Sequence, residues 1–215
     1  MKQALKNNKY LLALATILIV LFLDQWLKVH VKTTMYYGQE IPVLGQWFSL
    51  SFVENPGMAF GWELPFLGKY TAKVVLSTFR IVAVVVIAIY LKGLIKKGIS
   101  NGLVISIALV FSGALGNILD SVFYGMLFTE SIHDMHTISH LVPWGEGYAP
   151  FITADVVDML SFDLFTVDLP FYGRFNFFAP VFNLADFSIS LGVGLILAFY
   201  RKSFQANFFE KEQMA

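Results

Sequence analysis

The chain has 215 residues, of which 57% are hydrophobic and 14% are charged; its formal net charge is zero and it contains no cysteine. A soluble domain carries about 25% charged residues, so this composition indicates an integral membrane protein. The missing cysteines exclude disulfides, thiolate metal sites and a cysteine nucleophile, and the balanced charge gives no basic footprint for a nucleic acid.

Four apolar runs approach the length of about 20 residues that a helix needs to cross a bilayer. The first run lacks a small-residue cleavage pattern, so we interpret it as an uncleaved span and not as a signal peptide. We expect a mainly α membrane protein with four transmembrane helices, a small extramembrane β element and a long extracytoplasmic loop, within a single membrane domain over residues 1–215. The predicted spans cover about residues 10–31, 72–91, 103–123 and 184–200.

Cationic residues flank these spans unevenly. They gather before the first span, between the second and third, and after the fourth, as Lys2, Lys6, Lys9, Lys92, Lys96, Lys97, Arg201 and Lys202. Between residues 121 and 182 there is one basic residue, Arg174, against seven acidic ones. The positive-inside rule then predicts that both termini lie in the cytoplasm and that the loops of about residues 32–71 and 124–183 face outward.

The first outward loop contains a segment rich in β-forming residues, Phe48–Val53, which is followed by the turn signal Asn55-Pro56-Gly57. We interpret this segment as a small β element on the outer membrane surface. An ordinary hairpin without a functional role is the alternative.

The second outward loop, of about 60 residues, is too long to be a mere connection. His133, His136 and His140 follow one another at spacings of three and four, which on a helix would place them on one face, as a zinc site requires. We favour a polar segment at the membrane interface instead, because nothing else in the loop supplies a metal shell. We therefore expect no metal.

Polar residues interrupt the outer ends of the first and third spans. Asp24 and Lys28 are four residues apart and can pair on one helical face, either as a structural ion pair or as a substrate contact. Asn117 and Asp120 are three residues apart. Because lipid does not satisfy such groups, we expect them to face the helix bundle or a wet cavity.

Two further acids lie at the same predicted depth: Asp158 in the second outward loop and Asp186 at the mouth of the fourth span. An ionisable residue in this setting is a candidate for function. Two carboxyl groups at one site cannot both ionise freely, so they share a proton and can act as an acid/base pair. For Asp186 alone, an N-cap of the fourth span is an equal alternative.

Five segments resemble, in order, the motifs of bacterial lipoprotein signal peptidase, also called signal peptidase II, a family of aspartyl intramembrane proteases. They are Asp24-Gln25-Trp26-Leu27-Lys28, Asn55-Pro56-Gly57-Met58-Ala59-Phe60-Gly61, Gly116-Asn117-Ile118-Leu119-Asp120, Val156-Val157-Asp158 and Phe182-Asn183-Leu184-Ala185-Asp186. Any one of them alone would be a weak signal, but five in order across most of the chain are specific.

The resemblance implies that Asp158 and Asp186 form the catalytic pair, and it selects Asp158 over the neighbouring Asp155. The residues that would line or support the site are Asp24, Lys28, Asn55, Gly57, Asn117, Asp120, Asn183 and Ala185. The chain departs from the family pattern at Ser121, where Arg is usual, and in a long insertion of about residues 124–155 before Asp158.

The resemblance also implies the reaction. The substrate would be a diacylglyceryl-prolipoprotein embedded in membrane lipid, cleaved just before the lipidated cysteine without a cofactor. The enzyme would be a monomer in the bacterial cytoplasmic (inner) membrane, with its active site at the outer face. The alternatives are a small non-enzymatic carrier using interfacial carboxylates and a lipid-binding scaffold. Against both, four spans leave little room for an aqueous path, and the polar residues gather at one face.

Overall fold

The computed structural model describes residues 2–45, 47–56, 68–132, 136–163, 166–169, 173–176 and 180–209. Within this part of the chain, four helical stretches are long and apolar enough to cross a membrane: Lys6–Thr34, Tyr70–Lys97, Asn101–Leu127 and Leu184–Ala206. They confirm the four predicted spans and extend beyond the predicted bounds, because residues outside the apolar runs, such as Lys6 and Lys97, still lie in the helices.

Two of the helices change their winding along their length. Helix α1 covers Lys2–Thr34 and α2 covers Lys69–Lys97, whereas α3 (Asn101–Leu119) continues through a π-helical turn, Asp120–Tyr124, into the short α4 (Gly125–Leu127). Similarly, α5 (Leu184–Leu195) continues through a π-helical turn, Ile196–Tyr200, into α6 (Arg201–Phe209). Such turns are frequent at functional sites. The first of them begins at a predicted site residue, Asp120.

A small antiparallel sheet confirms the predicted β element and adds a strand that was not expected. Its order is β1 (Glu40–Leu44), β2 (Phe48–Asn55) and β3 (Val156–Phe162). Strand β3 carries Asp158 and pairs with β2, so that Asp158 lies opposite Val53. Two further strands, β4 (Thr166–Leu169) and β5 (Gly173–Asn176), pair with each other.

The chain divides into two compact units, and the first comprises Met1–Asp24, Phe79–Asn117 and Leu184–Ala215. Its buried core is aliphatic, and includes Leu91, Leu94, Ile95, Leu103 and Val104. Helices α3 and α5 approach closely there: a Cβ atom on Gly113 would lie 2.2 Å from the carbonyl oxygen of Ala185. The missing side chain of Gly113 therefore allows the two helices to pack closely.

The second unit comprises Gln25–Thr78 and Ile118–Asn183. Its core joins the end of α1, the sheet and the segment after α4, through Val31, Phe52, Phe128, Val157 and Met159. We call residues 128–155, of which 133–135 are not described, the connector. An isolated β-bridge between Tyr36 and Ile138 joins the connector to the segment after α1, and a second, between Phe128 and Leu141, lies within the connector.

Candidate active site

Asp158 is held by asparagine side chains in the second unit. It lies on β3 and is only 2% exposed. The Asn183 amide donates to Asp158 Oδ1 at 2.7 Å, and the Asn55 amide donates to Asp158 Oδ2 at 3.0 Å. Each carboxyl oxygen therefore accepts a hydrogen bond from a different motif, which fixes the orientation of the group.

Asp120 anchors the backbone beside Asp158. Its Oδ2 atom accepts from the backbone N–H of Val157 at 3.1 Å, and its Oδ1 atom accepts from Gln25 Nε2 at 2.9 Å. Lys28 Nζ forms an ion pair with Asp120 Oδ2 at 2.9 Å, and both side chains are fully buried. Because burying a charge is costly unless it is paired, Lys28 and Asp120 depend on each other. Asp120 thus has a cationic partner, Lys28, although Ser121 stands where the resemblance described above leads one to expect Arg.

Asp186 lies in the first unit, in the first turn of α5. Helix α5 begins at Leu184, so Asp186 lies inside the helix and past the N-cap position, and the N-cap interpretation is wrong. The Asn117 amide donates to Asp186 Oδ1 at 2.8 Å. A negative charge in a first helical turn is favourable because the helix dipole is positive there.

Asp24 supports the start of α5. It is fully buried, and its Oδ1 atom accepts from the backbone N–H of Ala185 at 2.9 Å. Gly116 makes room for this contact, since a Cβ atom there would lie 2.8 Å from Asp24 Oδ2 and 3.2 Å from the Ala185 Cβ. Asp24 thus holds the backbone of the residue that precedes Asp186, while Asn117 holds the Asp186 side chain.

The residues around Asp158 and those around Asp186 are connected to each other along the chain. Asn183, which binds Asp158, precedes Asp186 by three residues, and Asn117, which binds Asp186, precedes Asp120 by three residues. Three of the four points at which the chain passes between the units lie within motif segments, after Asp24, Asn117 and Asn183. Each of these motifs thus contributes a residue to both groups.

Several other predicted residues have different settings. Gly57 and His133 lie outside the described residues. The rival acid Asp155 forms an ion pair with Lys73 at 2.5 Å, and both side chains are partly exposed. This pair belongs to the second unit but includes none of the residues that bind Asp158.

The histidine segment does not form the helix on which a zinc site would depend. Residues 136–140 are irregular, with Ile138 in a β-bridge to Tyr36. The His136 ring contacts the Tyr36 ring edge-on at 4.4 Å, and the His140 backbone N–H donates to Thr129. Among the described residues, no group of three His, Cys, Asp or Glu side chains is placed to hold a metal ion.

A buried ion pair between Lys32 and Glu54 was missed by the sequence reading. Lys32 is fully buried, and its ammonium contacts Glu54 and, at 3.1 Å, Ser131 Oγ. Burial raises the pKa of Glu54 above its usual value, against the lowering effect of Lys32. Burial, and then the charge of Glu54, also raise the pKa of the nearby Tyr148. The available signal was spacing: Lys32 follows Lys28 by one helical turn.

Comparison with known proteins gives one consistent result. Residues 16–201 match the family model described as signal peptidase (SPase) II. A lipoprotein signal peptidase of Porphyromonas gingivalis is 43% identical over 196 residues, which cover 88% of this chain and 82% of that protein. One of Amoebophilus asiaticus is 37% identical over 196 residues, covering 87% of this chain and 77% of that protein.

Solved structures show the same similarity. A bacterial membrane enzyme determined by the in meso method at 1.9 Å resolution matches with a TM-score of 0.55 and 25% identity, covering 86% of this chain and 89% of that one. A second such structure, at 2.3 Å resolution, matches with a TM-score of 0.54 and 23% identity, covering 89% of this chain and 88% of that one, and supports the fold alone.

Proposed function

The chain belongs to the signal peptidase II family, and on that premise we propose that it removes the signal peptide from diacylglyceryl-modified prolipoproteins, cleaving just before the lipidated cysteine. It is a protease and a multi-pass bacterial membrane protein. The relatives are named as peptidases, and nothing in the comparisons supports the non-enzymatic carrier.

Asp158 and Asp186 are the catalytic pair in this proposal. One carboxylate takes a proton from a water molecule, which attacks the carbonyl carbon of the scissile peptide bond. The other carboxyl group, protonated at that moment, gives its proton to the carbonyl oxygen. When the tetrahedral intermediate collapses, the C–N bond breaks and the amine of the lipidated cysteine leaves with a proton from the pair.

The observation that carries the proposal is that asparagine amides orient both acids. Asn55 and Asn183 donate to Asp158, and Asn117 donates to Asp186. Amide donors of this kind fix the direction of a carboxyl group without adding a charge. Aligned groups lower the barrier because orientation is fixed before the reaction begins.

The orientation in the membrane is part of the same proposal. Both termini lie in the cytoplasm, in accordance with the lysines before α1 and between α2 and α3, and the site opens at the outer face. Large side chains on the helices are exposed to the surroundings, including Phe22 at 68%, Phe79 at 69% and Phe199 at 74%. In a bilayer these side chains contact lipid, and we propose that the enzyme acts as a monomer.

The test is cleavage of a synthetic diacylated precursor by the purified protein in detergent. We expect Asp158→Asn and Asp186→Asn each to lower kcat by at least about a thousandfold. Asp155→Asn is the matched control, because it removes a neighbouring carboxylate that pairs with Lys73, and it should keep the wild-type rate. Full activity in either of the first two variants would remove that residue from the pair.

A further inference from the structure

Lys32 occupies an enclosed site behind the strand that carries Asn55. Lys32 is completely buried, with 0% of its surface exposed to solvent, although it lies near the end of α1. The ammonium contacts Glu54 and Ser131, and lies over the rings of Phe52, Phe128 and Tyr148 at 5.8, 5.6 and 5.1 Å. The charge is thus paired, as a buried cation requires, and the aromatic rings attract it further.

The connector closes this site. Phe128, Ser131 and Tyr148 all belong to it, whereas Phe52 and Glu54 belong to β2. The connector also makes up most of residues 124–155, where the resemblance described above implies an insertion. Lys32 therefore joins three elements of the second unit: the end of α1, strand β2 and the connector.

Glu54 and Asn55 point to opposite faces of the sheet. Val53 lies directly opposite Asp158, and Asn55, two residues further along β2, shares that face. Glu54 shares the other face with Phe52, where Lys32 lies. Holding Glu54 on the back face therefore presents Asn55 to Asp158 on the front face.

The register of β2 needs such a constraint, because it is irregular nearby. Between the pairs Leu50↔Leu160 and Val53↔Asp158, β2 contains one more residue than β3. A slip of one residue in a strand reverses the face of every side chain that follows. Such a slip would turn Asn55 away from Asp158 and place Glu54 in front of it.

We propose that Lys32 and Glu54 are positioning residues, whose ion pair, enclosed by the connector, fixes the register of β2 in which Asn55 binds Asp158. This inference rests on the proposed function, since it assigns Asp158 to the reaction. Neither residue touches the substrate: both act through Asn55.

The experiment compares kcat, KM and the thermal unfolding midpoint with the same diacylated precursor. We expect Lys32→Met to lower kcat by about tenfold or more while KM stays within about twofold, because a small misplacement near the reacting groups slows the chemical step. Lys73→Met, which breaks the partly exposed pair with Asp155, is the control and should leave kcat unchanged. Wild-type kcat in folded Lys32→Met would overturn the proposal.

A double variant separates an effect on positioning from an effect on folding, and it tests the proposal even if Lys32→Met does not fold. Lys32→Met/Glu54→Gln contains no buried charge at this site and should regain the wild-type unfolding midpoint. We expect its kcat to remain low, because an apolar contact does not select the register. Recovery of both kcat and the midpoint would show a merely structural pair and contradict the proposal.

Coupling to Asn55 is the third readout. If Lys32 acts through Asn55, adding Lys32→Met to Asn55→Ala should lower kcat little further, whereas independent effects would multiply and overturn the proposal. Asp158→Asn in the same assay keeps the two proposals apart. If the wild-type protein does not cleave the precursor, the proposed function fails. If Asp158→Asn is active, Asp158 is not one of the pair and the positioning inference fails with it; if Asp158→Asn is inactive while Lys32→Met/Glu54→Gln has wild-type kcat, only the positioning inference fails.

Discussion

The surroundings of Asp158 and Asp186 differ in how they are built. Asp158 lies on a strand and is nearly completely buried, and its partners Asn55 and Asn183 come from distant segments. Asp186 is half-buried in the first turn of a helix, with Asn117 as a partner on a neighbouring helix.

The difference indicates which substitutions should misplace each acid. A helical turn fixes the direction of Asp186 through local backbone geometry, and close packing of α3 against α5 holds that turn in place. A strand fixes Asp158 only if its register is fixed, and that depends on buried charges further away. We therefore expect substitutions outside the motifs to affect the Asp158 region more than the Asp186 region.

The largest expected effect is that of Lys28→Met, which removes the ammonium that neutralises the buried carboxylate of Asp120. We expect the free energy of unfolding to fall by about 3–5 kcal/mol, since breaking a buried ion pair leaves a charge without its counterpart. Chemical denaturation in detergent measures this. Lys28→Met/Asp120→Asn should regain most of the stability. A loss in Lys28→Met no larger than the roughly 0–1 kcal/mol expected for Lys73→Met would contradict the mutual dependence of Lys28 and Asp120.

The asparagines give a direct comparison of the two acids. We expect Asn183→Ala to lower kcat by about 10- to 100-fold, because a hydrogen bond to a charged group contributes about 1.5–3 kcal/mol. Asn117→Ala should have a smaller effect, since the helical turn still orients Asp186. Measured kcat values for the two variants decide this, and a greater loss in Asn117→Ala would reverse the comparison.

The smallest expected effect concerns the packing that supports Asp186. Gly113→Ala places a methyl group against the carbonyl oxygen of Ala185, and we expect a loss of about 1–3 kcal/mol in the free energy of unfolding. Gly194→Ala, on the same pair of helices, is the control, because its added Cβ meets no atom within 4 Å. The contact between α3 and α5 would be less important than described if both variants unfolded alike.

The sequence predicted what depends on composition and local pattern. Four apolar helices followed from hydrophobic runs, and β2 followed from the β-forming segment Phe48–Val53. Asp158 and Asp186 stood out because charges are rare in this chain. The bounds of the helices were less well predicted. Lys6 lies in its helix before the apolar run begins, and Lys97 lies in its helix after the apolar run has ended.

What could not be predicted depends on pairing across the chain. Strand β3 exists because β2 pairs with it, although Val53 and Asp158 are far apart in sequence. Lys32 and Glu54 carry no motif, and only the folded chain brings them together with the connector. The spacing of His136 and His140 suggested a helical face, but the Pro- and Gly-containing connector forms bridges and turns instead.

The central claim is that Asp158 and Asp186 act as one pair, and the distance between their carboxyl groups tests it most directly. An experimental structure of the enzyme in lipid, at a resolution that shows ordered water, would provide that distance. We predict that the nearest carboxyl oxygens lie within hydrogen-bond reach of about 2.6–3.2 Å, or are bridged by one shared water. A separation too large for a single bridging water would contradict the claim.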